Sequence, residues 1–363
     1  MSVLPDNGVP MIGAVPARHR CIVVGGGLFG LSAAWALSRR GWGVEVLEAG
    51  PAAGHEWSGS KGGARIFRLG YPEAHYVDMA RRAAHLWQVL EAATGRRLLH
   101  QTGQASLGDE ASLHAVAGAL KATGVPAEWL SPLEASARFP LIAAAGPVLY
   151  EPSSGVLAAD ECLRALCEAG HFELRTGARV TEVHERAEAE VVVTTDRHHL
   201  EADVVVLCAG PHTLTLLGAG HSVSAPPSAP QVAYFGPAQG REGTDWPVFI
   251  EWGADMIYGL PVRRGADHGG TCKVSHHTPG APLAHHQLVH SAPLPPDDES
   301  LLAALCAAVR RLLPGLDPEP VATERCVYDN SADADFVLDR VGRVVVGCGS
   351  SGHGFKFGPL IGE

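Results

Sequence analysis

Gly25-Gly-Gly-Leu-Phe-Gly30 and, 23 positions after Gly25, Glu48 have the residue types and spacing that hold a dinucleotide. Gly25 permits a tight turn, Gly27 lets backbone N–H groups approach a pyrophosphate, and Gly30 lets a helix lie close on a strand. A carboxylate at Glu48 can accept both ribose hydroxyls, in either a flavin or a nicotinamide dinucleotide. A glycine turn in an ordinary α/β core gives no reason for that acid. Other reactive groups are dispersed. Eight cysteines (Cys21, Cys162, Cys167, Cys208, Cys272, Cys306, Cys326 and Cys348) form no CxxC pair, so they are expected to be reduced, which suits the cytoplasm. The nineteen histidines are scattered too; His198–His199 and His285–His286 read as solvent-facing loop residues, and no metal site is expected.

The elements that must carry these groups follow from the apolar pattern. Residues 20–25 are a short continuous apolar run ended by glycine, a buried strand. Residues 28–40 read as a helix and 44–48 as a second strand, which completes a βαβ unit. Helices are expected at 76–94, 160–170 and 299–313. Strands are expected at 180–183, 191–195 and 203–211, the last running into a glycine turn. Residues 225–290 read as short strands with Gly-, Pro- and His-rich loops, and 344–356 as a strand entering a glycine-rich loop. Nucleotide-binding elements therefore lie at both ends and in the middle of the chain, and the domains are expected to interleave in sequence.

Composition narrows the class. A chain of 363 residues suits two lobes or one large α/β unit. A formal net charge of −11 argues against nucleic acid or an anionic membrane as the partner. No stretch approaches the roughly 20 apolar residues that span a bilayer. Residues 1–20 read as a ragged tail without the features of a secretion signal.

Three stretches together resemble the monomeric sarcosine oxidase family, which includes N-methyltryptophan oxidase. The first is the glycine fingerprint followed by Ser58-Gly-Ser-Lys-Gly-Gly-Ala-Arg65-Ile-Phe-Arg68, a Ser/Gly-rich turn and an Arg-x-x-Arg. The second is Tyr258-Gly-Leu-Pro with Cys272-Lys273-Val-Ser-His-His277. The third is Cys326-Val-Tyr328-Asp-Asn-Ser-Ala-Asp-Ala-Asp-Phe336 with Ser351-Gly-His353-Gly-Phe-Lys356-Phe. The likeness runs from about Cys21 to Glu363.

The resemblance implies an α/β (α+β) fold in which a Rossmann-like FAD domain (1–85, 150–222 and 323–363) interleaves with an antiparallel-sheet substrate domain (86–149 and 223–322). It implies FAD held by Gly25, Gly27, Gly30, Glu48 and the loop Gly352, His353 and Gly354, and bonded covalently through Cys326. Lys273 matches the family lysine that promotes reaction of reduced flavin with oxygen, and Arg65 an arginine close to the flavin ring. Arg68 and Lys356 match the pair that grips the substrate carboxylate; a structural ion pair is the alternative for Arg65 and Arg68. His277, Tyr258 and Tyr328 match residues lining the substrate cavity. The implied reaction is hydride transfer from an N-methyl amino acid to flavin N5, then reoxidation by oxygen to hydrogen peroxide, in a monomer. Two rivals share the scaffold: an oxidase of a cyclic imino acid such as proline or pipecolate, and a dehydrogenase using another electron acceptor. Lys61 stands where the family has histidine on the substrate side of the flavin, and the chain stops at Glu363 where relatives continue into a helix.

Overall fold

The apolar run Arg20–Val24 is the third strand from one edge of a six-stranded sheet, buried at every position after Arg20. This computed structural model describes residues 19–186, 190–218, 226–241, 246–284, 288 and 294–363. Counting from the other edge, the sheet runs Val337–Val341, Val344–Cys348, Val204–Leu207, Arg20–Val24, Gly43–Leu47 and Phe172–Arg175. All pairings are parallel except that of Val337–Val341 with Val344–Cys348. Parallel strands need buried faces, and their continuous valine-rich sequences supply them. On one face lies the helix Leu28–Arg39, whose Leu31, Ala34 and Trp35 are fully enclosed. The short helix Gly358–Gly362 packs on it so closely that a Cβ at Gly362 would strike the backbone of Ser32.

The second body is an eight-stranded sheet in the order Leu316–Arg325, Gln231–Pro237, Cys272–His276, Ile257–Pro261, Val248–Trp252, Gln104–Gly108, Val148–Glu151 and Glu128–Leu130. Its pairings are antiparallel apart from Val248–Trp252 with Gln104–Gly108. Smaller three-stranded sheets join Val180–Arg186, Glu190–Thr195 and His199–Ala202, and Arg65–Phe67, Gly155–Leu157 and Leu99–Gln101.

The expected βαβ unit, the parallel strand near 204–207 and the three expected helices are all present, the helices as Ala74–Thr94, Ala159–Ala169 and Glu299–Leu312. Helix Ala74–Thr94 ends on Gly95 at φ 69°, a left-handed conformation that glycine takes without strain. Boundaries at 85/86 and 149/150 would cut this helix and the strand Val148–Glu151, so a division by sheet displaces both. His199 opens a strand rather than lying in a loop, although it and His198 are exposed; His285 and His286, and nearly all of the tail, lie outside the described residues. All eight cysteines are free. Among the described residues no helix is long and apolar enough to cross a membrane.

Candidate active site

A cavity of about 460 Å³ runs between the two bodies, from the first βα turn to the glycine-rich loop after Cys348. Its nucleotide end is built by glycines. Gly25, at φ 105°, turns the chain where a Cβ would collide with the carbonyl of Cys208 on the neighbouring strand. A Cβ at Gly30 would drive into the Gly25 carbonyl, so Gly30 sets helix-to-strand packing and does not line the cavity. Gly30→Val is therefore expected to cost about 2–4 kcal/mol, by forced repacking, and to yield protein unable to retain cofactor. Urea unfolding and the visible spectrum of the purified variant check this.

Glu48 follows the second strand. Its Oε2 accepts from the Gly26 N–H at 2.7 Å and its Oε1 from the Gly50 N–H at 2.6 Å, with His55 Nε2 at 3.2 Å. Burial works to raise its pKa, but His55 and the two amides outweigh it and the carboxyl stays below its ordinary value. Ser60 Oγ accepts from the Leu28 N–H at 3.0 Å, at the start of the helix where a pyrophosphate would sit. His55 and Ser60 have no signature in sequence; each is recognised only by the group it meets.

At the other end the side chains fall into two electrostatic groups. The first centres on Lys273, in strand Cys272–His276 and 5 % exposed. Alternation puts Lys273 on the face shared with Tyr258, whose strand neighbour is Ser275. Among the described residues the Lys273 ammonium makes no hydrogen bond or ion pair, and burial, with Arg65 nearby, pulls its pKa down to about 8. Arg65 donates to the carbonyls of Lys61 at 2.6 Å, Ala64 at 3.0 Å and Gly59 at 3.2 Å, and its guanidinium lies 5.5 Å from the Phe355 ring centre. It thus ties down the turn 59–64 and meets no carboxylate among the described residues. Cys326, 8 % exposed, leaves strand Leu316–Arg325 and lines the same region with Tyr258 and Tyr328. Lys61 does not line the cavity; its field bears on Lys273 and on Glu324.

The second group centres on Arg68 and Lys356. Lys356 is 1 % exposed and donates from Nζ to the His353 carbonyl at 2.7 Å. Arg68 lies 4.0 Å from the Tyr71 ring centre and 5.6 Å from that of Trp252. Neither meets a carboxylate among the described residues, so the ion-pair alternative fails for Arg68 as for Arg65. Burial, then the Arg68 charge, holds the Lys356 ammonium well below its usual pKa. His277 faces Tyr258 edge-on at 6.2 Å, and burial plus the fields of Arg68 and Lys356 pull its pKa down to about 3. Its imidazole is neutral above that value, so binding of an anionic ligand should show no His277 transition between about pH 6 and 7.5. Affinity titrations of the protein and of His277→Asn across that range should have the same shape. His353 is likewise pulled down to about 3, by burial first; its Nδ1 is 3.3 Å from the Tyr71 hydroxyl, its Nε2 3.0 Å from the Ala334 carbonyl, and its ring stacks on Phe336. It is a wall of the cavity. Gly352, at φ 76°, gives room to the Tyr328 ring, and Gly354 to Phe29.

A parallel sheet with a glycine turn and a terminal acid, joined by one cavity to a cation-lined antiparallel sheet, defines a dinucleotide-dependent redox enzyme. The sequence profile of the FAD dependent oxidoreductase (DAO) family matches residues 20–363, and the chain belongs to that family. It is 33% identical to the peroxisomal sarcosine oxidase of Mus musculus, covering 94% of this chain and 90% of that protein. It is 32% identical to the monomeric sarcosine oxidase of Streptomyces avermitilis, over 94% and 91% of the two chains. Among solved structures it is similar to the open form of NikD, an unusual amino acid oxidase essential for nikkomycin biosynthesis, with a TM-score of 0.82 and 28% identity over 95% and 92% of the chains. The residues present fit FAD: the Gly25 and Gly27 turn, Glu48 and the long cavity to Cys326 match a dinucleotide with a ring system at its far end.

Proposed function

We propose that this protein is an oxidase of small amino acids bearing a secondary amine, N-methyl amino acids such as sarcosine first among them, with oxygen as the electron acceptor and FAD bonded through Cys326. The observation that carries the reading is the buried pair Arg68 and Lys356, which meets no carboxylate among the described residues. Two like charges out of water are costly, and a substrate carboxylate relieves both at once: the guanidinium offers two parallel donors and the ammonium a point charge. The sarcosine oxidases named above support the choice of a secondary amine.

Bound FAD supplies the two-electron acceptor for oxidation of the C–N bond and passes the electrons on. The carboxylate docks on Arg68 and Lys356, which fixes the amine in the cavity beside Tyr258 and His277. Neutral His277 adds no third charge there and offers one hydrogen-bonding nitrogen. The amine loses two electrons and two protons in becoming an imine, which water splits into the primary amino acid and an aldehyde. Oxygen takes those electrons and protons as hydrogen peroxide, and the Lys273 ammonium stabilises negative charge on oxygen as it arrives.

Peroxide release from N-methyl amino acids, cyclic imino acids and the matching amines without a carboxylate tests the reading. Peroxide from the N-methyl acids supports it, and none from any secondary amino acid rejects it. Faster turnover of proline or pipecolate moves the substrate to a cyclic imino acid, and dye reduction without peroxide makes the enzyme a dehydrogenase. For the linkage, acid-precipitated protein should remain yellow, and Cys326→Ser should lose more than about nine-tenths of that colour. Colour retained in the variant excludes Cys326.

A further inference from the structure

Three neighbouring strands of the eight-stranded sheet bring an unexpected acid to the face that carries Lys273. Tyr234 stands opposite Lys273 on one side, and its same-face neighbour Val232 stands opposite Glu324 on the other. The Tyr234 hydroxyl donates to Glu324 Oε2 at 2.8 Å, and His268 Nε2 stands 3.4 Å from Oε1. The Tyr234 and His268 rings lie 4.1 Å apart, and Lys273 Nζ is 5.7 Å from the Tyr234 ring centre. Glu324 precedes Cys326 by two residues, so the strand that presents the cysteine also presents the carboxylate.

Around Lys273 stand Lys61 and Arg65 from the 59–67 segment, Tyr258 from the adjacent strand, Tyr234 from the strand on the other side, and Glu324 and Cys326 from the strand beyond it, with His268 against Glu324. The fields of two further cations thus reach a buried ammonium, and Lys61 is the one that occupies a histidine position of the related family. Burial tends to raise the Glu324 pKa, but the Tyr234 hydrogen bond and the fields of Lys273, Lys61 and His268 outweigh it, so the group is an anion at neutral pH.

We propose that Glu324, fixed by Tyr234 and His268, is a positioning residue: it offsets the charge of Lys61 and so keeps Lys273 cationic beside the cofactor cavity at neutral pH. The inference rests on the role of Lys273 proposed above and adds the partner that makes that role compatible with Lys61. Removing the Glu324 charge favours the neutral amine of Lys273, and removing the Lys61 charge favours the ammonium. The two changes must oppose each other.

The test is a spectral pH titration of the resting, FAD-loaded enzyme, in which the flavin band reports the nearby charge, run beside the pH profile of reoxidation by oxygen. Lys273→Met should abolish the transition in both. Glu324→Gln should move its midpoint down by about half a pH unit or more, Lys61→Met should move it up by a similar amount, and the double variant should return it near the original. Should Glu324→Gln not fold, Lys61→Met alone decides, because an unmoved midpoint there overturns the inference. Unmoved midpoints in both single variants, with the transition still lost in Lys273→Met, sink the Glu324 assignment while leaving the Lys273 role standing. A transition that survives Lys273→Met removes that role itself, and the Glu324 inference with it.

Discussion

Lys273→Met is expected to slow reoxidation of reduced enzyme by oxygen about 10²–10³-fold while reduction by substrate stays within about threefold, as for loss of one fixed electrostatic contact worth about 3–4 kcal/mol. The expectation follows from where the ammonium sits. It is buried on the sheet face that forms the cavity wall and has no hydrogen-bond or ion-pair partner among the described residues. Its field is therefore directed at whatever occupies the cavity and is not cancelled by a contacting anion. Methionine keeps the length and the packing of the stem and removes only the charge. Because burial holds the Lys273 pKa down at about 8, the ammonium is present below that pH and lost above it, so the reoxidation rate should fall as pH rises through about 8. Stopped-flow measurement of the two half-reactions separates the effects. Equal slowing of both would remove Lys273 from the oxygen step.

Lys356→Met is expected to raise the apparent Kd for a carboxylate substrate about 10–100-fold, and Lys356→Met with Arg68→Met to bring binding below detection. The same substitution should not lower the unfolding temperature. In the free protein Lys356 is buried next to a second cation, and burial and that neighbour already push it toward its neutral form. Removing the ammonium gives up its hydrogen bond to the His353 carbonyl but also ends the cost of burying a second basic group beside Arg68, and the methionine stem fills the same space, so the two effects offset. A clamp for an absent anion predicts this split, with affinity lost and stability kept. A structural role predicts the opposite, since loss of a structural contact would lower the unfolding temperature and leave affinity nearly intact. Calorimetry on the free variant and spectral titration with substrate read the two quantities independently.

The nucleotide half of the site is legible in the chain because its requirements are local. Gly25, Gly27 and Gly30 act within one turn, and Glu48 lies one short helix and one strand further on, so spacing alone locates them. The catalytic half is assembled from strands far apart in sequence. Lys273, Tyr234 and Glu324 meet only through the register of Leu316–Arg325, Gln231–Pro237 and Cys272–His276, and no spacing encodes that register. Arg68 and Lys356 were reachable through the resemblance of their motifs and not through any pattern of their own. Lys61 shows the limit of that route: its place in the motif suggests the substrate side, whereas its field falls on Lys273 and Glu324. Four helices, Glu110–Ala122, Pro132–Arg138, Thr213–Leu217 and Gly358–Gly362, are absent from the sequence-based expectations. The second announces itself through Ser131-Pro-Leu-Glu134, a capping box with proline in the first turn, but at seven residues it is too short for a clear apolar period.

In the proposed reaction a carboxylate-bearing secondary amine reduces the flavin from a site framed by Arg68 and Lys356. Anaerobic mixing of the enzyme with sarcosine and, separately, with dimethylamine tests it without recourse to oxygen. Sarcosine is expected to bleach the visible flavin band, saturably and with loss of the effect in the Arg68→Met, Lys356→Met double variant, and dimethylamine is expected to leave the band unchanged. Bleaching by both amines at similar rates, or by sarcosine undiminished in the double variant, would contradict it.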